Sequence, residues 1–224
     1  GIAKQAAMLR AARNSASIRS YHPAGTVKCD GVRLFRSQPA RDVGCILDVN
    51  PSVTAWRCMP STFGADGIAH VPDFQVFDED GGTRYLDAPD RIVSVDVAVI
   101  AAQDRRIGAH YKLLDRSEIY DGFRLRNARD LLRYAAHETP LGDRVRLLAA
   151  LDEHGSLPLA ECLKAFQETK PVPGIASLIL HGFVEVDLDE APLGPETAAD
   201  GYRGDVITAA VPLPMEKLPM SYGF

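Results

Sequence analysis

The stretch HVPDFQVFDEDGGTRYLDAPDR, from His70 to Arg91, constrains the fold more than any other part of the chain. Phe74 and Val76 stand on one side of Asp80-Gly81-Gly82, and Tyr85 and Leu86 on the other. Short apolar arms joined by an Asp-Gly-Gly turn predict an antiparallel hairpin. The first arm follows Pro72-Asp73 and the second ends in Asp87-Ala88-Pro89, so each arm carries an acid near the open end.

The chain around the hairpin reads as a mixture of helices and strands. AKQAAMLRAARN predicts a short amphipathic helix. In SQPARDVGCILDVN, Ser37 is placed to cap a helix and Pro39 falls in its first turn. Val43, Ile46 and Leu47 give that helix an apolar stripe, and Asn50-Pro51 stops it. SVTAWRC then alternates as a strand, with Val53, Ala55 and Cys58 inward. VSVDVAVIAA fits a strand or a buried helix equally well. After a boundary at residues 139–142 come three short helical patterns, led by Leu147, Cys162 and Leu178, and an alternating FVEVDLDE. Three helices and a strand in that order match a winged helix.

No apolar run approaches the roughly 20 residues of a membrane span. The first 40 residues lack the apolar segment of a signal peptide, and the four cysteines form no CxxC pair. The expectation is a cytoplasmic protein with reduced thiols and no membrane association. Its net charge of −5 is unevenly spread. Up to Arg41 the cations are Lys4, Arg10, Arg13, Arg19, Lys28, Arg33, Arg36 and Arg41, against Asp30 alone. A basic N-terminal segment on an acidic body is a footprint of nucleic-acid binding.

Four stretches together resemble the TnsA family of transposon endonucleases, from about Phe35 to Leu193. FRSQPARDVGCILDVNPSVTAWRCMPSTF looks like its Ser-x-x-Glu-Arg-Asp helix and the strand after it. HVPDFQVFDEDGGTRYLDAP looks like its Pro-Asp-Phe hairpin, and YKLLDRSEIYDGFRLRNARDLLRYA is similar to its Asn-led helical segment. The winged-helix pattern sits where the family has its second domain. The resemblance implies an α+β protein: a mixed-sheet, restriction-endonuclease-like domain at 15–138 and a winged helix at 140–192. A basic arm, 1–14, precedes them and a Pro/Gly-rich tail, 193–224, follows.

In that family clustered carboxylates hold Mg²⁺ or Mn²⁺, the metal activates water, and a lysine stabilises charge on the scissile phosphate. Carried over position by position, the helix glutamate falls on Ala40, the hairpin acids on Asp73 and Asp87, and the lysine on Pro89. Two positions are kept and two are lost. Asp42 lies about 200° around the helix from Ala40 and faces away from Asp73. Arg84 and Arg91 are candidates for the missing cation. The resemblance therefore implies a degenerate site with no catalytic residues, no metal and no cofactor. Changing Ala40 to Glu and Pro89 to Lys together is the expected route back to weak activity.

The six histidines are dispersed, and His70 and Asp73, at i and i+3, are expected on opposite faces of a strand. No GxSxG, P-loop or GxGxxG is present. The third helix of the winged-helix pattern, PVPGIASLILHG, contains no Arg or Lys, and the strand after it is acidic, so DNA reading is not expected there. The DNA-binding candidates are Arg10, Arg13, Arg19, Lys28, Arg33, Arg36, Arg105 and Arg106, with Arg124, Arg126, Arg129 and Arg133 on a helix. The expected function is a catalytically degenerate, DNA-binding scaffold or regulator in transposition or transcription. Partners would be DNA, a transposase or ATPase through the winged helix, and a second copy of the chain. An active endonuclease with a rearranged site, and a protein-binding adaptor that never touches DNA, are the other readings the sequence leaves open.

Overall fold

The computed structural model describes residues 1–65, 68–93, 96–104 and 110–201. Arg105 and Arg106 lie outside the described residues. The chain is α+β, and its described residues divide into two compact units, 1–137 with 188–193, and 138–187 with 194–201.

The first unit is built on a four-stranded mixed sheet. Its strands are β1 (Val53–Cys58), β4 (Phe74–Asp78), β5 (Thr83–Asp87) and β6 (Tyr111–Leu113), in the order β1-β4-β5-β6. β1, β4 and β5 are antiparallel neighbours, whereas β5 and β6 run parallel. A ribbon of β2 (Phe63–Ala65) and β3 (Ile68–His70) stands apart from the sheet. The predicted hairpin is β4–β5. Its turn closes through Gly81 N–H to the Asp78 carbonyl and Asp78 N–H to the Gly82 carbonyl. Gly81 holds a φ of 88°, a conformation open chiefly to glycine.

Helix α1 (Ile2–Ala16) belongs to this unit and is not a separate arm. Ala16 is in the core, Leu9 and Ala12 pack against it, and Arg13 donates to the carbonyls of Met59 and Pro60. α2 (Gln38–Val49) begins as expected, with the Ser37 hydroxyl accepting the N–H of Ala40. Its inner face carries Ala40, Val43 and Leu47 onto the core, where Phe35, Trp56 and Phe74 meet with ring centroids 5.6–6.3 Å apart. The ambiguous apolar run resolves as helix α3 (Val97–Gln103), N-capped by the Asp96 side chain. α4 (Arg116–Tyr120) and α5 (Arg124–Leu132) complete the unit. The buried Asn127 of α5 donates to the carbonyls of Leu188 and Ala191 and accepts from Leu193 N–H. These bonds fasten 188–193 to the first unit, so the sequence-based boundary at residue 192 does not mark the end of the second.

The second unit contains α6 (Leu141–His154), β7 (Ser156–Pro158), α7 (Leu159–Cys162), a 3-10 turn (Leu163–Ala165), α8 (Pro171–Leu180), β8 (Val184–Val186) and β9 (Ala198–Gly201). The strands form an antiparallel sheet in the order β7-β9-β8. The central strand β9 lies in the segment expected to be a tail. The core gathers Leu147, Leu151, Cys162, Phe166, Ile175 and Leu178. A Cβ on Gly174 would come within 2.4 Å of the Phe166 ring, so α8 approaches the preceding segment as closely as glycine permits.

Asp143, on the first turn of α6, accepts the N–H groups of Gln167, Glu168 and Thr169 and a bond from Arg146. Burial opposes its charge, but these donors outweigh burial and draw its pKa down to about 2. A lowered carboxylate stabilises the fold above its ordinary value of 3.8, and that stability is lost as pH falls toward about 2. The second unit should therefore melt at progressively lower temperature across that interval, and Asp143→Asn should flatten the dependence. Thermal melts followed by circular dichroism over the same range check both statements.

Candidate functional site

Asp73 and Asp87 face each other across the open end of the hairpin. Phe74 of β4 pairs with Leu86 of β5, so Asp73 and Asp87 come next, just beyond the last paired residues on that side. Their side chains extend the ladder. Asp73 N–H donates to Asp87 Oδ1 at 2.9 Å, and Ala88 N–H donates to Asp73 Oδ2 at 2.9 Å. Asp73 is 2% exposed and Asp87 is 0% exposed.

Pro89 has a structural task here. Arg91 N–H donates to the Ala88 carbonyl at 3.0 Å, closing a turn in which Pro89 is the second residue. Proline's fixed φ suits that place, and no N–H is needed there. The turn returns Arg91 to the acids. Its Nη1 lies 3.1 Å from Asp73 Oδ1 and 3.2 Å from Asp87 Oδ1. Arg36, just before α2, donates through Nε and Nη2 to the two oxygens of Asp73, each at 3.2 Å, and through Nη2 to Asp90 at 3.0 Å.

Asp87 Oδ2 is filled from the other side. His70 Nε2, at the end of β3, lies 2.5 Å away, and the Tyr111 hydroxyl of β6 donates at 2.6 Å. His70 and Tyr111 pack edge to face with Phe63 nearby. His70 thus meets Asp87, not Asp73, and is a satisfied, buried histidine.

Every oxygen of the pair receives two donors. Asp73 Oδ1 takes Arg36 and Arg91, and Oδ2 takes Arg36 and Ala88 N–H. Asp87 Oδ1 takes Asp73 N–H and Arg91, and Oδ2 takes His70 and Tyr111. Burial would raise Asp87, but bonds and charge from His70, Arg91 and Tyr111 outweigh it and hold the carboxyl below its ordinary range. Asp73 moves the other way: burial, reinforced by the charge of Asp87, raises it against the two arginines. Burial and the bond to Asp87 push the Tyr111 phenol up.

This donor set does not suit a divalent metal. Such an ion needs free oxygen lone pairs and a local excess of negative charge. Here donors already occupy the oxygens, and two guanidiniums occupy the neighbouring positive positions.

The other transferred positions have different surroundings. Ala40 is 1% exposed and lies in the apolar cluster with Val43 and Leu47. Asp42 accepts from Gln38 and from the Tyr120 hydroxyl, with Arg129 at 3.7 Å, and shares no hydrogen bond or ion pair with the Asp73 network among the described residues. Arg84 pairs with Asp78 within the hairpin, so Arg91 is the arginine that reaches the acids. Replacing Ala40 by Glu would force a carboxylate into packed apolar surroundings. Ala40→Glu should cost about 3 kcal/mol or more, measurable by urea titration.

The basic segment is also partly committed to the fold. Arg13 holds α1 to Met59 and Pro60, Lys28 Nζ donates to the Asn50 carbonyl at 2.6 Å, and Arg33 donates to the Ala24 carbonyl at 2.8 Å. Burial lowers the Lys28 pKa. Arg41 is fully buried, donating to the carbonyls of Pro23 and Gly25 and lying over the Phe35 ring. Lys4, Arg10 and Arg19 are exposed, and their side chains make no hydrogen bond or ion pair among the described residues. Arg124 pairs with Asp189 and Arg129 approaches Asp42, while Arg126 is exposed.

The network has features the sequence did not disclose. Arg36 is 37 residues from Asp73, and Tyr111 is 24 from Asp87. Neither spacing belongs to a local motif. The i, i+4 relation of Asp87 and Arg91 was the available signal. Compared with known proteins, the chain matches no family model, and no curated protein matches it.

Proposed function

We propose that the chain is a non-cleaving, DNA-associated scaffold or regulator with a nuclease-like first unit, akin to the TnsA class. The observation that carries this reading is the saturation of Asp73 and Asp87 by arginine, histidine, tyrosine and backbone donors. The acids hold the sheet's open end together and leave no oxygen for a metal that would activate water. On this reading the second unit is a winged helix that binds protein rather than reading DNA. The middle of α8, from Gly174 to Leu178, is buried and the helix contains no Arg or Lys. A transposase or ATPase is the kind of partner that the resemblance implies for it.

Contact with DNA would fall chiefly to Lys4, Arg10 and Arg19, the cations of the N-terminal segment that the fold leaves unpaired among the described residues. Gel shifts across a salt series test this. Replacing all three by Ala should flatten the log–log salt slope by about 3, close to 0.9 for each phosphate no longer neutralised. Lys28→Ala should leave the slope unchanged. An unaltered slope in the triple variant would place DNA binding elsewhere on the chain, and no shift at low salt would favour the adaptor reading.

A further inference from the structure

Beside the Asp73 network the first unit has an open cavity of about 410 Å³, roofed by the end of α1 and the segment after it. Arg19, Arg36 and Arg91 line it with Tyr21, and no acid is among the described lining residues. Ala16, Met59 and Val71 supply an apolar wall. The volume is in the range of small-molecule sites, roughly 300–1,000 Å³.

Among the described residues these donors are not all engaged. Arg91 reaches the two aspartates through Nη1, and no acceptor meets its Nε or Nη2 among the described residues. Arg19 makes no hydrogen bond or ion pair among them. Asp73 and Asp87 fix Arg91 from behind, so its orientation is set before any ligand arrives. Preorganised guanidiniums recognise planar or tetrahedral oxyanions through paired N–H groups. The backbone beside them is unusual as well. Met59 has a left-handed φ of 43°, its N–H donates to the Asp73 carbonyl and its carbonyl accepts from Arg13. A strained residue held at both ends fixes the cavity wall next to the acids.

We propose that this cavity binds a phosphomonoester carried on a small, largely apolar or aromatic body, with Arg19 and Arg91 on the phosphate. A tetrahedral dianion presents several oxygens to guanidiniums arriving from α1's end and from the Pro89 turn. Tyr21, Met59 and Val71 provide the surface for the attached body. Two sources carry this chemistry: a free mononucleotide and the 5′-phosphate end of a DNA strand. The proposal does not depend on the chain contacting duplex DNA, since a free mononucleotide is sufficient.

Titration calorimetry on the full chain tests it with adenosine 5′-monophosphate, adenosine, inorganic phosphate, and a short oligonucleotide with a 5′-phosphate or a 5′-hydroxyl. The nucleotide or the 5′-phosphorylated strand should bind, with the counterpart lacking phosphate at least about tenfold weaker. Binding of the strand alone would identify a DNA end as the source, and binding of the mononucleotide alone a free metabolite. Arg19→Ala, at an exposed position outside the core, should weaken the phosphorylated probe about tenfold and leave the melting temperature unchanged. The proposal is overturned if neither phosphorylated probe binds, if adenosine or the 5′-hydroxyl strand binds as tightly, or if Arg19→Ala leaves affinity unchanged. It is also overturned if inorganic phosphate binds as tightly as the nucleotide, because the apolar wall would then contribute nothing.

Discussion

Asp87→Ala should destabilise the first unit by about 3–5 kcal/mol, because it strips one partner from a buried, charged network. The side chain is 0% exposed and holds four donors: Asp73 N–H, Arg91, His70 and the Tyr111 hydroxyl. Alanine would leave these donors in a site closed to water, and unpaired buried groups cost more than the net worth of the bonds they made. Asp87→Asn retains the shape and one acceptor oxygen, so its loss should be smaller. Urea titrations of both variants check the order. The pH dependence of the pair has opposing parts. Asp87, lowered in the fold, contributes stability above the ordinary carboxylate pKa and loses it as pH falls through its folded value. Asp73, raised in the fold, binds its proton more tightly there, so its ionisation costs stability as pH rises through the ordinary carboxylate value toward its folded one. The acid profile of this unit should consequently be shallower than that of Asp143 in the second.

Trp56→Ala should cost a similar amount, about 3–5 kcal/mol, for a different reason. Trp56 is 0% exposed at the centre of the first core, edge to face with Phe74 at 5.6 Å and tilted against Phe35 at 6.0 Å. Alanine would open a cavity that the surrounding α2, β1 and β4 cannot fully close. It would also remove the indole N–H that donates to the buried Asp48 at 2.9 Å. Burial already raises Asp48, with the bond from Trp56 as the leading counterweight, so losing that bond should raise it further. Trp56→Phe keeps most of the ring volume and should recover much of the loss. Thermal melts of the two variants separate the volume from the hydrogen bond.

The hairpin, the Ser37 cap and the positions of Asp73 and Asp87 were legible in the sequence because each rests on local chemistry. Period-two alternation, an Asp-Gly-Gly turn and an N-cap hydroxyl act over a few residues. The disposition of charge was not legible in the same way. Arg13, Lys28, Arg33 and Arg41 resemble Lys4 and Arg10 in composition, yet backbone carbonyls at least nine residues away engage the first four. Pro89 read as the loss of a cation. Its turn in fact delivers Arg91 to the same acids, two positions later. The apolar run at residues 93–102 was ambiguous because burial on most sides suits a helix or a strand alike; α3 packs Val97, Ile100 and Ala101 inward at helical spacing. The return of 188–193 to α5 depends on Asn127, whose partners lie more than sixty residues ahead.

The central claim is that Asp73 and Asp87 are held by protein donors and do not serve metal-dependent cleavage. Its most direct test is conversion of supercoiled plasmid in Mg²⁺ or Mn²⁺ by the unaltered protein beside Asp73→Asn. The account predicts that both preparations leave the plasmid intact to the same degree. Nicking or linearisation by the unaltered protein, absent in Asp73→Asn, would contradict it and show that the acid pair performs chemistry.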